Sequence, residues 1–409
     1  MTEAPVQLLS SRLASGGSPP ARQRSARLGA CAVAVASALC FALGCQTKSA
    51  GAKPFPVPRD EPWIPERYVA YRSLEPLRID GRLDERSWLV APDSAAFVDI
   101  QGRTHAEPRF GTHAKMLWDA DYFYVAARLS EPHLWATYRK RDSIIFHEND
   151  FEVFIDPDAD NHRYVEIEIN ALGTVWDLLL VKPYRDGGPA KHDWNIAGLE
   201  TAVSLKGTLN DGRDVDQGWS VEMAIPWTAF KGLGAMALPP EPGQQWRVNF
   251  SRVQWQLRWA ASGYGKLRTP SGDELAEDNW VWSPQGLIAM HYPERWGFVQ
   301  FSARKAGEQP ERAVHMPDHT ARQHLMQLYY AQKIYRSKHG KYASGVEPLK
   351  LPPAWTGKLR LLSSPGGYEA RLPFPGGQAR VDQLGRLQSS TTPPVAKPSP
   401  AGSRTDQAQ

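Results

Sequence analysis

The chain has 409 residues and a net charge of +4 at pH 7, with 42% hydrophobic and 22% charged residues. These values lie near globular averages, so they argue against a wholly disordered chain, a collagen and a multi-span membrane protein. The length favours two folded parts with tails, and so small a net charge gives no sign of a nucleic-acid surface.

The first segment has the layout of a secretory signal. Basic residues precede an apolar run at residues 28–43, which at about 16 residues is shorter than the roughly 20 that span a membrane. The run ends in Phe-Ala-Leu-Gly-Cys, which resembles the bacterial lipoprotein box and implies a lipid on Cys45, although Ala42 stands where leucine is usual. Gln46 resembles an outer-membrane sorting signal, which implies a lipoprotein facing the periplasm or the cell surface. Cleaved secretion without a lipid is the alternative.

Composition divides the rest of the chain into two folded regions and two tails. Residues 46–62, rich in Lys, Ala and Pro, are predicted to be a linker, and residues 389–409, rich in Pro, Ser, Ala and Gln, a disordered tail. We expect the folded regions at residues 63–302 and 315–388. Because no cysteine follows Cys45, the sequence excludes a disulfide or a cysteine zinc site from both.

The larger region shows the alternation typical of β-strands. Residues 115–118 and 122–129 flank a turn at residues 119–121, which predicts a hairpin. In residues 150–156 and 163–170, apolar side chains alternate with polar ones, so that one face of each strand is apolar and the other carries acid. Further strands are predicted at residues 174–182, 199–205, 219–225 and 246–253. Many short strands with little helix favour a mainly β fold, an antiparallel, jelly-roll-like β-sandwich.

The smaller region begins with a predicted helix that starts near Asp318 and ends at Gly340. Its apolar face carries Leu325, Leu328, Tyr329, Gln332 and Tyr335. Short strands are predicted to follow at residues 359–362, 368–372 and 379–381. Residues 328–335 and 339–344 resemble the helix end and the loop of type IV pilin-like proteins. Because the apolar first half of the pilin helix is missing, the resemblance implies a pilin-like headpiece without filament assembly.

Six phrases of the larger region occur in the order typical of one family of binding modules. They are Ile79-Asp-Gly-Arg-Leu-Asp-Glu-Arg-Ser-Trp88 and the phrases at residues 117–125, 152–156, 166–170, 218–226 and 293–297. Together they resemble the family 9 carbohydrate-binding modules over about residues 77–302. The resemblance implies a β-sandwich related to DOMON-like domains, binding to the ends of sugar chains and, in some members, structural calcium.

The resemblance also implies a ligand site. Phe146 or its neighbour His147 takes the place of one clamp aromatic residue. The second clamp residue of the family is a tryptophan, and this chain has Met290, His291 and Tyr292 there instead. Glu152 matches the hydrogen-bonding carboxylate of the family, and Asn170 matches an asparagine. Glu168 stands where a binder has arginine, which reverses the charge at that place.

Tryptophan, with 15 copies, offers flat rings that suit the apolar faces of sugars. Four tryptophans lie in the family-like phrases and are predicted to be core: Trp88, Trp118, Trp219 and Trp246. Five lie in or beside predicted loops and are better ligand candidates: Trp135, Trp176, Trp194, Trp280 and Trp282.

Two other chemistries stay open at this point. Glu152, Glu166 and Glu168 project from one side of two strands and would suit a glycoside hydrolase if they stood about 5 to 9 Å apart, although a solvated or sugar-binding acidic face is the favoured interpretation. Related DOMON-like domains bind haem, and Met116 and His291 are the conceivable ligands in an electron-transfer lipoprotein. Met116, however, lies in a framework strand, as a core residue does.

The loop Asp156-Pro-Asp158-Ala-Asp160 alternates its carboxylates as calcium loops do. It lacks the glycine of an EF-hand at the sixth place, and Ile167 stands at the twelfth, so it is not an EF-hand. The spacing predicts a turn that holds a structural calcium through these three aspartates.

The favoured hypothesis is a non-catalytic envelope protein that binds a glycan or oligosaccharide. Its predicted ligand residues are Phe146, Glu152, Glu168, Asn170, His291 and Trp176. Besides a glycoside hydrolase of carbohydrate catabolism and a haem lipoprotein, a structural lipoprotein without a ligand is an alternative. Residues 46–302 carry a net charge of −8 and residues 303–409 of +9, so the sandwich suits neutral sugars or cations and the C-terminal part anionic lipid or cell-wall polymers. No nucleic-acid partner is expected, and protein partners are left open.

Overall fold

A computed structural model describes residues 64–364 and 366–391, and this part of the chain is built mainly of β-strands. The predicted signal at residues 1–45 with Cys45, the linker at residues 46–62, and residues 392–409 of the predicted tail lie outside the described residues.

The larger region contains most of the strands and one short helix. In chain order the elements are β1 (Arg67–Arg72), α1 (Arg86–Val90), β2 (Val98–Asp99), β3 (Thr112–Trp118), β4 (Tyr122–Ser130), β5 (Asp150–Asp156), β6 (Tyr164–Asn170), β7 (Val175–Leu180), β8 (Ala190–Lys191), β9 (Glu200–Lys206), β10 (Gly218–Pro226), β11 (Gln245–Gln254), β12 (Leu257–Ala260), β13 (Gly263–Lys266), β14 (Asp278–Val281) and β15 (Gly297–Lys305). The predicted hairpin is confirmed as the antiparallel pair β3 and β4.

One hydrogen-bonded path joins eleven of these strands in the order β8, β7, β6, β5, β11, β15, β1, β3, β4, β10 and β9, while β14 and β2 branch from β11 and β12 pairs with β13 apart from this sheet. The pairs are antiparallel except at β1, which runs parallel to both β15 and β3. The prediction of an antiparallel sandwich therefore holds except at β1, whose two pairings are parallel. The reason is the long connection of residues 73–111 between β1 and β3, which carries the chain back before it enters the next strand.

The two halves of this path face each other across one core. Phe151, Val153 and Ile155 of β5 point into it, as the alternation predicts. From the other half, the ring of Phe123 on β4 packs against Trp246 on β11, with 6.4 Å between the ring centroids. The predicted mainly β sandwich is confirmed. The four tryptophans predicted as core are also buried, with exposed fractions of 5% for Trp219 and 0% for Trp88, Trp118 and Trp246.

The smaller region is a helix packed on a four-stranded sheet. Its elements are α2 (His319–His339), α3 (Pro353–Thr356), β16 (Arg360–Ser364), β17 (Gly367–Phe374), β18 (Gly377–Asp382) and β19 (Leu387–Thr391). Gly340 ends α2 in the left-handed conformation at φ 71°, where glycine has no Cβ to clash. The sheet continues three residues into the stretch predicted as a disordered tail, because β19 pairs with β18 up to Thr391. None of the described helices is both long and apolar enough to cross a membrane.

The smaller region packs directly on the sandwich. Tyr292, which precedes β15, lies in the apolar core that α2 forms with the small sheet. Beside it, Arg185 and Glu294 form a bidentate ion pair with both N–O distances at 2.8 Å. Tyr330 of α2 donates its hydroxyl hydrogen to the same Glu294 carboxylate. The C-terminal region therefore shares a buried polar cluster with the sandwich.

Candidate functional site

The outer face of β5 and β6, opposite the main core, carries a cluster of acids that we call the acidic floor: Asp150, Glu152, Glu166 and Glu168. Glu152 lies directly opposite Glu168 on the neighbouring strand. Exposed fractions are 0% for Asp150, 1% for Glu168 and 5% for Glu152 and Glu166. Asp150, Glu152 and Glu168 each place one carboxylate oxygen within 4.8 Å of the others.

Of the solvated or sugar-binding acidic face expected from the sequence, the solvated alternative is wrong, because segments outside β5 and β6 cover the face. A 3₁₀ turn at Ile145–His147 lies over β6, and the Phe146 backbone N–H donates to the Glu168 carboxylate at 3.1 Å. Farther along the same face, Trp296 packs on Phe154 and Tyr164 at the base of β15. The acids therefore lie at the bottom of a covered site.

Burial shifts the titration of these acids strongly. Removal from water is the largest cause that raises the pKa of Asp150, Glu166 and Glu168, and the negative charge of neighbouring acids raises it further. Burial also raises the pKa of Glu152 to about 7. Within the described residues no lysine or arginine forms an ion pair with any of the four. The floor therefore concentrates acid without a protein counter-charge.

A stack of three rings, which we call the aromatic ridge, stands at the edge of the floor. Trp176 on β7 lies opposite Glu168 in the strand register. Phe146 stacks on it with 6.4 Å between ring centroids, and His192 stacks on it at 5.5 Å. Phe146 is 37% exposed while Trp176 is 5% exposed. The ridge therefore presents an accessible flat ring held in place by a buried one.

The turn that carries Phe146 is fixed by the backbone and by a second tryptophan. The indole N–H of Trp255 donates to the Phe146 carbonyl at 3.0 Å. The Lys266 ammonium lies 3.2 Å from the centroid of the Trp255 ring. The orientation of the exposed phenyl ring is therefore set before any ligand arrives.

His291 lies at the rim, where it supports Tyr184. Its Nδ1 pairs with the Tyr164 hydroxyl at 2.8 Å, and its ring meets the edge of the 48% exposed Tyr184 at 4.5 Å. Burial, followed by the charge of Arg185, lowers the pKa of His291 to about 3. The neutral imidazole of His291 therefore positions Tyr184, and Tyr184 is the one of the two that a ligand can reach.

Asn170, predicted as a ligand residue, makes all its hydrogen bonds to other residues of the protein. Its amide nitrogen donates to the Tyr138 carbonyl at 2.9 Å and to Glu148 at 2.7 Å. Its amide oxygen accepts the backbone N–H groups of Leu172 and Thr174. With 0% exposure it holds the ends of two loops, so the structure places it outside the accessible part of the site.

Asp156, Asp158 and Asp160 converge as the calcium prediction requires, with one oxygen from each within 4.8 Å of the others. The Asp156 Oδ1 is buried and has no hydrogen-bond partner among the described residues, and burial raises the pKa of Asp158 to about 6. These oxygen donors fit a hard cation such as Ca²⁺. Asp160 also lies 3.4 Å from the Arg386 guanidinium, and the loop borders a cleft of about 640 Å³ against the small sheet.

The rival chemistries find little support in the geometry. Met116 is fully buried in the main core, whereas His291 contacts Phe154 and Tyr164 on the outer face, so the two residues do not meet around one haem. Glu152 and Glu168 lie close together, but they stand side by side on neighbouring strands and are at most 5% exposed, whereas hydrolysis needs two acids that flank the glycosidic bond.

Two predicted ligand tryptophans are core residues instead, since Trp280 is 3% exposed and Trp282 is fully buried. Three members of the site were not predicted: Asp150, Tyr184 and His192. The alternation along β5 places Asp150 on the same face as Glu152, and this signal could have identified it. Tyr184 lies between β7 and β8 and His192 directly follows β8, and no local pattern indicates that these two segments pack beside the site.

Comparison with known proteins identifies similarity over part of the chain. Residues 79–245 match the family model described as carbohydrate family 9 binding domain-like. Among solved structures, a protein of Bacteroides uniformis, provisionally described as carbohydrate-binding, is 17% identical with a TM-score of 0.44 and covers 58% of this chain and 100% of its own. A family 9 carbohydrate-binding module of Caldicellulosiruptor kristjanssonii in complex with cellotriose is 15% identical with a TM-score of 0.35, covering 61% of this chain and 100% of its own. Its complex with glucose is 16% identical with a TM-score of 0.36, covering 60% and 100%. No curated protein matches the chain.

Proposed function

We propose that this protein binds a carbohydrate at the aromatic ridge and the acidic floor, and that it holds its ligand without cleaving it. The observation that carries the proposal is the exposed ring of Phe146, which stacks on Trp176 at the edge of the acidic floor, next to Glu168. The match of residues 79–245 to the family 9 binding model supports it.

The two faces of a sugar ring account for the two parts of the site. An apolar C–H face packs on an aromatic ring, while the hydroxyl groups at its edge need donors and acceptors. Phe146 offers the ring, and the carboxyl groups of Glu152 and Glu168 offer the polar partners. The indole N–H of Trp176 has no acceptor among the described residues, so it is free to donate to a ligand oxygen. Tyr184 adds a second exposed ring at the rim.

Binding without cleavage follows from the burial of the acids. A hydrolase needs one carboxyl group at the leaving oxygen and another at the opposite face of the sugar ring. Glu152 and Glu168 are directly opposite each other on neighbouring strands and at most 5% exposed, so both approach a ligand from the same side.

The test is a glycan array of neutral and acidic saccharides, including cello-oligosaccharides, probed with the full chain. We expect selective binding that Phe146→Ala weakens. The matched control is Leu89→Ala, which removes a 65% exposed apolar side chain from α1, away from the site. Absence of binding to any saccharide, or equal effects of the two substitutions, would contradict the proposal. Chromatography of the bound saccharides should detect no shortened products.

The cellular place of the protein forms part of the same proposal. An apolar leader that ends at Cys45 suits a lipid-anchored envelope protein whose domain binds glycans outside the inner membrane. Metabolic labelling with a fatty-acid analogue should mark the wild-type chain and leave Cys45→Ser unlabelled. Equal labelling of both would remove the anchor from the proposal.

The aspartate loop is proposed to hold a structural calcium. Asp156, Asp158 and Asp160 would supply the carboxylate ligands, and the bound ion would offset their mutual repulsion. In this position the ion would fix the loop between β5 and β6. The small sheet contacts this loop, because the backbone N–H of Leu387 donates to the Asp160 carbonyl.

A further inference from the structure

The acidic floor poses an electrostatic problem, because four carboxyl groups share one buried face and the described residues supply no cation to pair with them. Glu152 and Glu168 face each other across a strand pair, and like charges in directly opposed positions destabilise a sheet. Asp150 and Glu166 extend the row of carboxyl groups along the same face. Within residues 64–364 and 366–391, no lysine or arginine forms an ion pair with them, and burial prevents water from screening the repulsion.

Two oxygens of this cluster lack any partner. Asp150 Oδ2 and Glu166 Oε2 are buried and accept no hydrogen bond from the described residues. Both side chains are at least 95% buried and lie on the same face as the cluster. Buried carboxylate oxygens without a donor are costly, so such atoms point to a ligand that is bound between them.

We propose that the acidic floor binds a divalent cation through Asp150, Glu152 and Glu168, and that this cation takes part in holding the saccharide. The three oxygens lie within 4.8 Å of one another, which is close enough for all three to contact one Ca²⁺ at about 2.4 Å each. Ca²⁺ suits such a set of carboxylates better than Mg²⁺, because Ca²⁺ accepts six to eight oxygen ligands in a flexible arrangement, whereas Mg²⁺ demands near-ideal octahedral geometry and keeps several waters.

The inference rests on the proposed function for its second half. The cation would lie under Phe146, whose backbone N–H already donates to Glu168, and beside Trp176, which lies opposite Glu168 in the strand register. Three carboxylates do not fill the six to eight oxygen positions of Ca²⁺. Hydroxyl oxygens of a sugar stacked on Phe146 would complete the shell, which makes the ion a bridge between protein and ligand.

The experiment is calorimetric titration of the full, metal-free chain with CaCl₂ at pH 8, without saccharide. We expect Glu152→Gln and Glu168→Gln each to remove one bound ion or to weaken its binding at least tenfold. Asp158→Asn, which alters the separate aspartate loop, should leave this ion in place. Because glutamine keeps the shape and removes a buried charge, the variants should retain the circular dichroism of the wild type. Unchanged stoichiometry and affinity in both glutamine variants would overturn the cation site, as would absence of any calcium binding by the wild type.

Saccharide titration with and without CaCl₂ separates this inference from the proposed function. We expect calcium to tighten saccharide binding at least fivefold in the wild type and to have no effect in Glu152→Gln. Saccharide binding that is indifferent to calcium would overturn the bridging role while the proposed function stands. Calcium binding to the floor with no saccharide bound would leave the cation site and remove the function.

Discussion

The ion pair between Arg185 and Glu294 provides the sharpest test of how the two regions are joined. Their side chains are only 4% and 5% exposed, and two N–O contacts of 2.8 Å link them. The Arg185 guanidinium also lies 4.4 Å from the centroid of the Tyr292 ring. From α2, Tyr330 donates to Glu294. The substitution Glu294→Gln therefore disturbs contacts within the sandwich and between the sandwich and α2 at once.

The expected magnitude follows from burial. Removal of one partner of a buried pair costs about 3–5 kcal/mol, because the other charge is left in a site without water. Arg185 keeps a second partner, Asp186 at 3.2 Å, so we expect the lower end, about 3 kcal/mol. At about 2.1 cal/mol/K per residue, roughly 330 described residues give an unfolding entropy near 0.7 kcal/mol/K, so the melting temperature should fall by about 4 °C.

Differential scanning calorimetry of the full chain measures this effect. The matched control is Glu369→Gln, which removes the solvent-accessible pairs of Glu369 with Arg371 and Arg380 on the small sheet and should cost less than about 1 kcal/mol. We expect one transition in all three proteins, since the shared cluster couples α2 to the sandwich. A shift in Glu294→Gln no larger than in Glu369→Gln, or a separate low-temperature transition of the C-terminal region in the wild type, would refute the reasoning.

Three further predictions concern pH, packing and calcium. The pKa of His291 is about 3 in the folded chain and about 6.5 in the unfolded chain, so protonation favours unfolding as the pH falls from 6.5 toward 3. Between pH 6.5 and 4, the free energy of unfolding measured in urea titrations should therefore fall less in His291→Gln than in the wild type, by about 1.4 kcal/mol per pH unit. Parallel pH curves of the two proteins would contradict this. Gly81 and Gly102 both have positive φ, but a Cβ on Gly81 would lie 2.6 Å from the Val203 carbonyl carbon while one on Gly102 meets nothing within 4 Å; Gly81→Ala should therefore cost about 1–3 kcal/mol more than Gly102→Ala in denaturant midpoints, and equal costs would contradict the close approach. Calcium at about 100 times the dissociation constant of the aspartate loop should add about 2.7 kcal/mol through that site, a gain that Asp158→Asn removes; equal calcium stabilisation of wild type and variant would contradict a loop site.

The architecture could be predicted because its signals are local. Alternation in residues 150–156 and 163–170 defines which face of β5 and β6 enters the core, and the structure confirms both faces. Gly340 ends α2 where the pattern places it. In each case the pattern depends on residues within a few positions of one another, so it survives in a single sequence.

The parallel strand β1 illustrates what local signals omit. Alternation gives the direction of side chains but not the direction of the neighbouring strand, and β1 pairs with β15, which lies more than two hundred residues away. Its parallel pairing on both sides depends on how residues 73–111 cross the sheet. No short phrase of the sequence records this path.

The burial of the acidic face was missed for a related reason. The sequence places Glu152, Glu166 and Glu168 on one face, and this is correct. The segments that cover that face, around Phe146 and Trp296, come from loops whose position is fixed only by tertiary packing. Alternating acids on an antiparallel sheet usually meet water, so the pattern alone does not indicate that loops cover this face.

Some of the predicted ligand residues come together in the structure and one of them does not. Phe146 and Trp176 are brought together, and the carboxyl of Glu168 lies beside them. Asn170, by contrast, matches a family position but spends its amide on two loops. A motif transfers the place of a residue in the strand, whereas its hydrogen-bond partners depend on loops that the motif does not include.

Calorimetric titration of the tightest-binding saccharide into the wild type and Phe146→Ala tests the central proposal most directly. The loss of one stacked ring should weaken binding by about 1–2 kcal/mol, or about five- to thirtyfold in the dissociation constant, while Leu89→Ala should leave it unchanged. A dissociation constant in Phe146→Ala equal to that of the wild type, with heat still released on binding, would place the saccharide elsewhere and contradict the proposed site.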